Sequence, residues 1–242
     1  MKEVRFFYHP HPESGELPTD EAQHALRVLR LSVGDELFLM DGCGAFHRAV
    51  ITMATGHKCQ YRIEETQPQQ PEWTGRIHLA VAPTKLMDRM EWLAEKATEV
   101  GIDCLTLLDC RFSERRVVKT DRLEKIIVAA MKQSHKAWKP QLEAMQPFTS
   151  FIQRPHLPEQ RFIAHCYDPA DVSSTSVKPY LLDLLQPQTD ALVLVGPEGD
   201  FSIEEVRAAE AAGFRSVSLG TSRLRTETAA LVAVHLMRLS NR

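Results

Sequence analysis

Residues 192–230 read LVLVGPEGDFSIEEVRAAEAAGFRSVSLGTSRLRTETAA, and this stretch decides the fold. The run Ala191 to Val195 is continuously apolar rather than alternating, which predicts a strand covered on both faces, as in a parallel sheet. Ser202 with Glu205 three residues later has capping-box spacing, so a helix is predicted from there to Gly213, a natural left-handed C-terminal residue. A second strand is predicted over 216–219 and, beyond Gly220, an almost wholly apolar helix over 229–239. These are two consecutive βα units. In open parallel sheets, ligands settle outside the carboxyl ends of the strands, where the loops 196–201 and 220–226 would both lie. Gly196 and Gly199 let backbone approach a ligand, and Pro197 stiffens the turn between them. Neither the GxGxxG nor the GxxxxGK[ST] spacing is present, so a dinucleotide or phosphate-cradling loop is not supported. Taken alone, G-P-E-G reads equally well as an ordinary turn.

A chain of 242 residues suffices for one large domain or two modest ones. Hydrophobic content of 43% and charged content of 25% are those of a soluble globular chain. No apolar run approaches the ~18 residues that cross a membrane, and MKEVRFFYHPHP lacks a signal-peptide core, so a cytoplasmic protein is expected. The five cysteines form no CxxC pair, which argues against a zinc site or a disulfide framework; they read as small buried hydrophobes, and no metal is expected. Net charge is −3, but the span Arg111 to Lys139 holds nine Lys or Arg against three acids. Such segregation suggests a basic face that meets phosphate, or simply a solvated helix face.

Residues 1 to about 68 read as β-rich with one helix: a strand over 4–8, a helix capped by Thr19 or Asp20 and running to Leu29, and strands over 36–40, 45–52 and 58–64, with Asp41-Gly42 as a hairpin signal. The Pro- and Gln-rich segment TQPQQPEWTG, 66–75, is the best domain boundary. From Arg76 the pattern becomes α/β. Strands are predicted over 77–82, 102–108 and 161–167, and a helix over 177–186. A further helix carries Leu86, Met90, Leu93, Ala97 and Val100 on one stripe, and another, started by Asp121 and Glu124, turns Leu123, Ile127, Ala130 and Trp138 inward.

GPEGDFSIEE followed by LGTSRLRTETAA closely resembles the C-terminal signature of RsmE-type 16S ribosomal RNA uridine N3-methyltransferases, members of the SPOUT (trefoil-knotted) superfamily. Further similarity lies at HALRVLRLSVGDELFLMDGCG, WLAEKATEVGID and AAMKQSHKAWKP, so the resemblance spans nearly the whole chain. The family's first loop usually reads GPEGG, where Asp200 stands here. The resemblance implies an α/β fold: a C-terminal SPOUT trefoil-knot domain with a parallel sheet over 76–242, preceded by a small PUA-like β-barrel RNA-binding domain over 1–70. It also implies S-adenosyl-L-methionine as methyl donor, N3 of a uridine in 16S ribosomal RNA, within the small subunit, as acceptor, and a homodimer.

Carried over position by position, the cofactor residues are Leu194, Gly196, Pro197, Glu198 and Gly199 in the first loop, and Leu219, Gly220, Leu224, Arg225, Thr226 and Thr228 at the second. Backbone groups are expected to read adenine, with Leu194, Leu219 and Leu224 sandwiching it; plain core packing is the alternative for the leucines. Arg225, Glu227 and Glu198 are the candidate catalytic groups: the arginine for the developing uracil anion or a phosphate, the carboxylates for the proton. Glu227 at a helix start has an electrostatic reason to be there regardless. Candidate RNA contacts are Arg5, Phe7, His24, Arg27, Arg30, Lys85, Arg111, Arg115, Arg116, Lys132, Gln133 and Lys136, with Phe6 as a further aromatic face. Phe6 reads equally well as a core residue, and His24 as a structural histidine. A SPOUT enzyme acting on another RNA, and a non-catalytic ribosome-assembly factor, remain as rival readings.

Overall fold

A computed structural model describes residues 5–172 and 178–241. The chain groups into two compact units, one built from residues up to Pro71 together with Val128–Lys139, the other from Glu72–Ile127 and Pro140 onward. The segment 128–139, expected within 76–242, thus belongs with the N-terminal unit.

The N-terminal unit carries strands β1 (Phe6–Tyr8), β2 (Glu36–Met40), β3 (Ala45–Thr55) and β4 (Lys58–Pro68) in the order β1-β2-β3-β4, with β1 parallel to β2 and the other pairs antiparallel. Helix α1 (Thr19–Gln23) continues as a π-helical turn over His24–Val28 and is preceded by Pro18, without a side-chain cap from Thr19 or Asp20. Phe7, Leu37, Leu39, Ala49, Ile51 and Tyr61 alternate along their strands to fill one core. Val4 of the predicted first strand lies outside the described residues. The expectation of an inward Trp138 is corrected: it is 36% exposed and lies against the β2–β3 turn, where Gly44 has φ +108 and an added Cβ would come within 2.7 Å of the indole. Ala137 and Lys139 pair with this turn through Gly44 N–H and Gly42 C=O.

The second unit is a six-stranded parallel sheet in the order β10-β8-β9-β5-β6-β7, formed by β5 (Ile77–Val81), β6 (Cys104–Asp109), β7 (Gln141–Pro147), β8 (Gln160–Ala164), β9 (Ala191–Val195) and β10 (Arg215–Val217). Helices α2 (Met87–Val100), α3 (Asp121–Ser134), α4 (Phe148–Ile152), α5 (Pro169–Val172), α6 (Leu181–Leu184), α7 (Ile203–Ala211) and α8 (Thr226–Ser240) connect the strands, α3 belonging to this unit only as far as Ile127. Both faces are covered, as the uninterrupted apolar run of β9 demands: Val193 and Val195 pack in one cluster with residues of α2 and α8, Leu192 and Leu194 in another with residues of α4 and α7. Each such aliphatic side chain contributes about 1.5–3 kcal/mol by burial. The α7 capping box is present as read: Ser202 Oγ accepts from Glu205 N–H and Glu205 Oε2 from Ser202 N–H. Gly213, at φ +87, closes that helix with Phe214 N–H donating to Ala209 C=O and Gly213 N–H to Glu210 C=O, a Schellman arrangement.

Several boundaries shift. The strand expected over 161–167 ends at Ala164, leaving His165 to Tyr167 in a loop; the helix expected over 177–186 is the short α6, and Val177 lies outside the described residues. Leu86 is 57% exposed just ahead of α2 rather than on its buried stripe. Among the cysteines, Cys59, Cys104 and Cys110 are buried as expected, whereas Cys43 and Cys166 are exposed. Across β5, β6 and β7 runs a satisfied polar chain: His78 Nε2 meets Thr106 Oγ1 at 2.8 Å, Thr106 donates to Glu143 at 2.8 Å, and Arg154 pairs with the same carboxylate at 2.7 Å. Burial holds His78 neutral, its pKa lowered to about 4. Among the described residues no helix is long and apolar enough to cross a membrane.

Candidate functional site

At the carboxyl ends of β10, β8 and β9, three neighbouring parallel strands, the following loops enclose a cavity of about 900 Å³. This is the position at which open parallel sheets bind ligands, and the volume is that of a small-molecule site. The β9 loop contributes Gly196 to Asp200, the β10 loop Ser218 to Arg225, and the β8 loop His165 to Tyr167; Arg89 of α2 and Thr226 and Ala229 of α8 close the end.

The β9 loop is held in one shape by its own groups. Asp200 N–H donates to Pro197 C=O at 2.9 Å, closing the turn. Asp200 has φ +66, a left-handed conformation that glycine takes freely and aspartate better than most residues. Its carboxylate earns its place: Oδ2 accepts from Cys166 N–H and Oδ1 from Phe201 N–H, both at 2.8 Å, tying the β8 and β9 loops together. Asp200→Ala keeps the unusual φ and loses both bonds. It is expected to lower stability by about 1–3 kcal/mol, each kcal/mol lowering Tm by about 2–4 °C on thermal melting. A Tm equal to wild type would show that the tether carries no stability. Gly196 is needed for space rather than torsion, since an added Cβ would lie 3.0 Å from Phe201 N and 3.1 Å from its ring.

On the β8 side, Ser216 Oγ donates to Glu210 Oε1 at 2.7 Å and therefore accepts from His165 Nε2 at 2.9 Å. This network assigns the ring proton to Nε2 and leaves Nδ1, which is buried, without a partner. Burial and the nearby Lys178 ammonium hold His165 neutral, its pKa lowered to about 4. Lys178 Nζ in turn donates to the carbonyls of His165 and Tyr167 at 2.5 and 2.9 Å, and burial pulls its pKa below the usual lysine value.

Of the residues expected at the cofactor site, Gly196, Pro197, Glu198, Gly199, Leu219, Gly220, Leu224, Arg225 and Thr226 line the cavity. Leu194 does not. Side chains alternate along a strand, so Leu194 points into the cluster with Phe201 and Val206, and Val195 faces the cavity instead. Thr228 and Glu227 line an adjoining groove of about 400 Å³ together with Asp88, Arg89, Trp92 and Arg225. Arg225 precedes α8, is exposed, and lines both spaces. Glu227 is only 8% exposed; Oε1 lies 3.7 Å from Arg89 Nη1, and Oε2 is buried without a partner. Glu198 is exposed and accepts Lys85 N–H at 2.8 Å, which makes it a brace between loops. Glutamine retains an acceptor there, so Glu198→Gln is expected to keep methyl transfer within about threefold of wild type in a labelled-methyl assay; a loss on the order of 10²-fold would return Glu198 to the catalytic set.

The expected RNA contacts divide. Arg5, His24, Arg27, Arg30 and Gln133 are exposed on the N-terminal unit and Lys136 half-buried, whereas Phe7 is 2% exposed. Phe7 is corrected to a core residue; strand alternation turns Phe6 outward, among Phe38, Phe46 and His135. Lys132 is paired with Glu21 at 2.6 Å. In the second unit Lys85, Arg111, Arg115 and Arg116 gather beside the β9 loop, yet each is engaged: Lys85 with Glu114, Arg115 with Lys85 C=O, Arg116 with Asp109, Arg111 with Glu204. Within the basic run, Arg111, Arg116 and Lys132 thus pair with acids that lie outside it.

A family model described as an RNA methyltransferase domain matches residues 71–238, and one described as an RNA methyltransferase PUA domain matches 17–64. Over 223 residues the chain is 30% identical to the ribosomal RNA small subunit methyltransferase E of Synechocystis, spanning 90% of this chain and 70% of that one. A probable rRNA-methyltransferase from Porphyromonas gingivalis shares the fold at TM-score 0.90 and 43% identity, with 98% of each chain covered. The ribosomal RNA small subunit methyltransferase E of Neisseria gonorrhoeae, solved bound to S-adenosyl methionine, does so at TM-score 0.83 and 27% identity, again over 98% of each. A cavity at the ends of a parallel sheet, on a chain that also carries the PUA segment, defines the class: a two-unit RNA methyltransferase architecture. Within that class, the chain belongs to the ribosomal RNA small subunit methyltransferase E family.

Proposed function

We propose that this chain binds S-adenosyl-L-methionine in the cavity and methylates N3 of a uridine in 16S ribosomal RNA of the small subunit. The observation that carries this reading is the adjacency of a backbone-lined cavity to a buried carboxylate oxygen without a partner, with Arg225 bordering both spaces. The cavity fits the donor: Leu219, Leu224, Val195 and Val217 supply apolar walls, and the β9 loop supplies backbone groups, its shape fixed by the close packing of Gly196 on Phe201. The donor-bound relative from Neisseria gonorrhoeae, covered over 98% of its length, supports the same choice.

When bound, S-adenosylmethionine supplies an electrophilic methyl carbon whose transfer to N3 breaks its bond to sulfur and leaves a neutral thioether. The protein supplies placement, on the order of 7–11 kcal/mol at best, and proton removal. Glu227 Oε2 accepts the N3 proton, and Arg225 stabilises the negative charge that develops over N3 and the flanking carbonyl oxygens. A paired uridine does not present N3, so the target is extruded from its stack. The PUA match over 17–64, with Arg5, Arg27 and Arg30 exposed, supports the N-terminal unit as the RNA holder. We read the chain as a homodimer: Leu239 on α8 is 40% exposed and Leu182 on α6, which packs against α8, is 50% exposed.

Calorimetric titration with S-adenosylmethionine, followed by methyl transfer to small subunits lacking base methylation, tests the reading. Binding together with transfer is expected. Binding without transfer to these subunits would favour another RNA, and absence of binding would favour a non-catalytic assembly factor.

A further inference from the structure

The groove beside the cavity has a composition that the reaction alone does not explain. It lies between the first turns of α2 and the start of α8 and is lined by Asp88, Arg89, Trp92, Arg225, Glu227 and Thr228. Arg89 and Trp92, three residues apart, share one helix face, as do Asp88 and Trp92, four apart. That face is not the one α2 buries, which is formed by Met90, Leu93, Ala94 and Ala97. Trp92 is 41% exposed, and the core gains nothing from a large aromatic ring at that position. At the other wall stands Glu227, more than nine-tenths buried, with Oε2 unpartnered. Leaving a buried charged oxygen unsatisfied costs free energy, and such atoms call for a ligand or a function.

We propose that this groove seats the extruded uracil ring of the RNA substrate, with Trp92 as its stacking wall and the Arg89–Glu227–Arg225 edge as its reader. The proposal rests on the methyltransferase reading above and adds to it the place and the selectivity of the base. Uracil presents, along one edge, an acceptor at O2, a donor at N3–H and an acceptor at O4. The groove presents the complement: two guanidinium donors with a carboxylate acceptor among them. Cytosine offers a bare N3 acceptor to that carboxylate and an amino donor to an arginine, so both contacts turn repulsive, and a site built this way rejects it. Arg89 and Arg225 also line the cavity, so the base edge and the methyl donor meet at the same two residues. The stacking face accepts any base, whereas the charged edge selects.

The test uses the full chain, saturating S-adenosylmethionine and small ribosomal subunits lacking base methylation. Trp92→Ala is expected to lower kcat/KM for the subunit roughly 5- to 150-fold, the loss of one base-stacking platform. Trp92→Phe should retain activity within a few-fold, because it keeps a π-face. Affinity for S-adenosylmethionine by calorimetry should stay within about twofold in both, since Trp92 does not line the cavity, and the sedimentation mass should equal that of wild type. Three results overturn the proposal: Trp92→Ala turning over like wild type, both variants failing equally through a changed mass, or label found in cytidine. If wild type itself neither binds donor nor transfers methyl, the methyltransferase reading and the groove fall together. If wild type transfers methyl and Trp92→Ala matches it, only the groove falls.

Discussion

Glu227→Gln is expected to lower the single-turnover rate of methyl transfer about 10²–10⁴-fold, the usual contribution of a positioned proton acceptor, while leaving fold and donor affinity near wild type. The amide is almost isosteric with the carboxylate, so the packing at the start of α8 persists. The ion pair it loosens is long, 3.7 Å from Arg89, and the glutamine amide keeps an oxygen for that guanidinium. The oxygen assigned to the proton, Oε2, is one the folded protein itself leaves unpartnered, so the substitution breaks no hydrogen bond of that atom. A rate unchanged at saturating donor and RNA would assign Glu227 to the electrostatics of the helix N-terminus, where a carboxylate is favoured by about 0.3–1 kcal/mol regardless of chemistry.

Gly196→Val is expected to weaken S-adenosylmethionine binding by about 10- to 100-fold. An added Cβ meets the backbone nitrogen of Phe201 at 3.0 Å, and backbone cannot swing aside as a flexible side chain would. Relief requires the β9 loop to move, against the Asp200 bonds to Cys166 and Phe201 that fix it. Overpacking of this kind costs about 1–3 kcal/mol, and a β9 loop displaced by it no longer presents its backbone to the donor as the cavity requires. Calorimetry with the donor alone reads the effect without RNA. Wild-type affinity in this variant would place the donor elsewhere than the cavity.

What the sequence revealed and what it hid follow from the range of the forces involved. The β9 strand, the Ser202 capping box and the Gly213 terminus are local: an apolar run, a three-residue spacing and one torsion. They were legible because nothing distant overrides them. Strand parity was not. Both Leu194 and Val195 are apolar, and only the position of β9 between two helix layers decides which one meets the cavity. The third wall was missed because His165, Cys166 and Tyr167 were read as the end of a strand that stops at Ala164; the shift from apolar to polar at that point was the available signal. β7 escaped because QLEAMQP has no β-branched residue and is half-exposed. The ion pairs of the basic run were not legible, because a local count does not see partners brought by folding: Glu21 on Lys132, Glu91 on Arg122, Glu204 on Arg111. Trp92 went unnoticed since the periodicity of α2 draws attention only to its buried stripe.

One measurement bears most directly on the whole account: incubation of the protein with methyl-labelled S-adenosylmethionine and small ribosomal subunits lacking base methylation, followed by digestion of the RNA and identification of the labelled nucleoside. The account predicts label in 3-methyluridine at a single site of the 16S RNA. Label in any other nucleoside, or none when the donor is shown to bind, would contradict it.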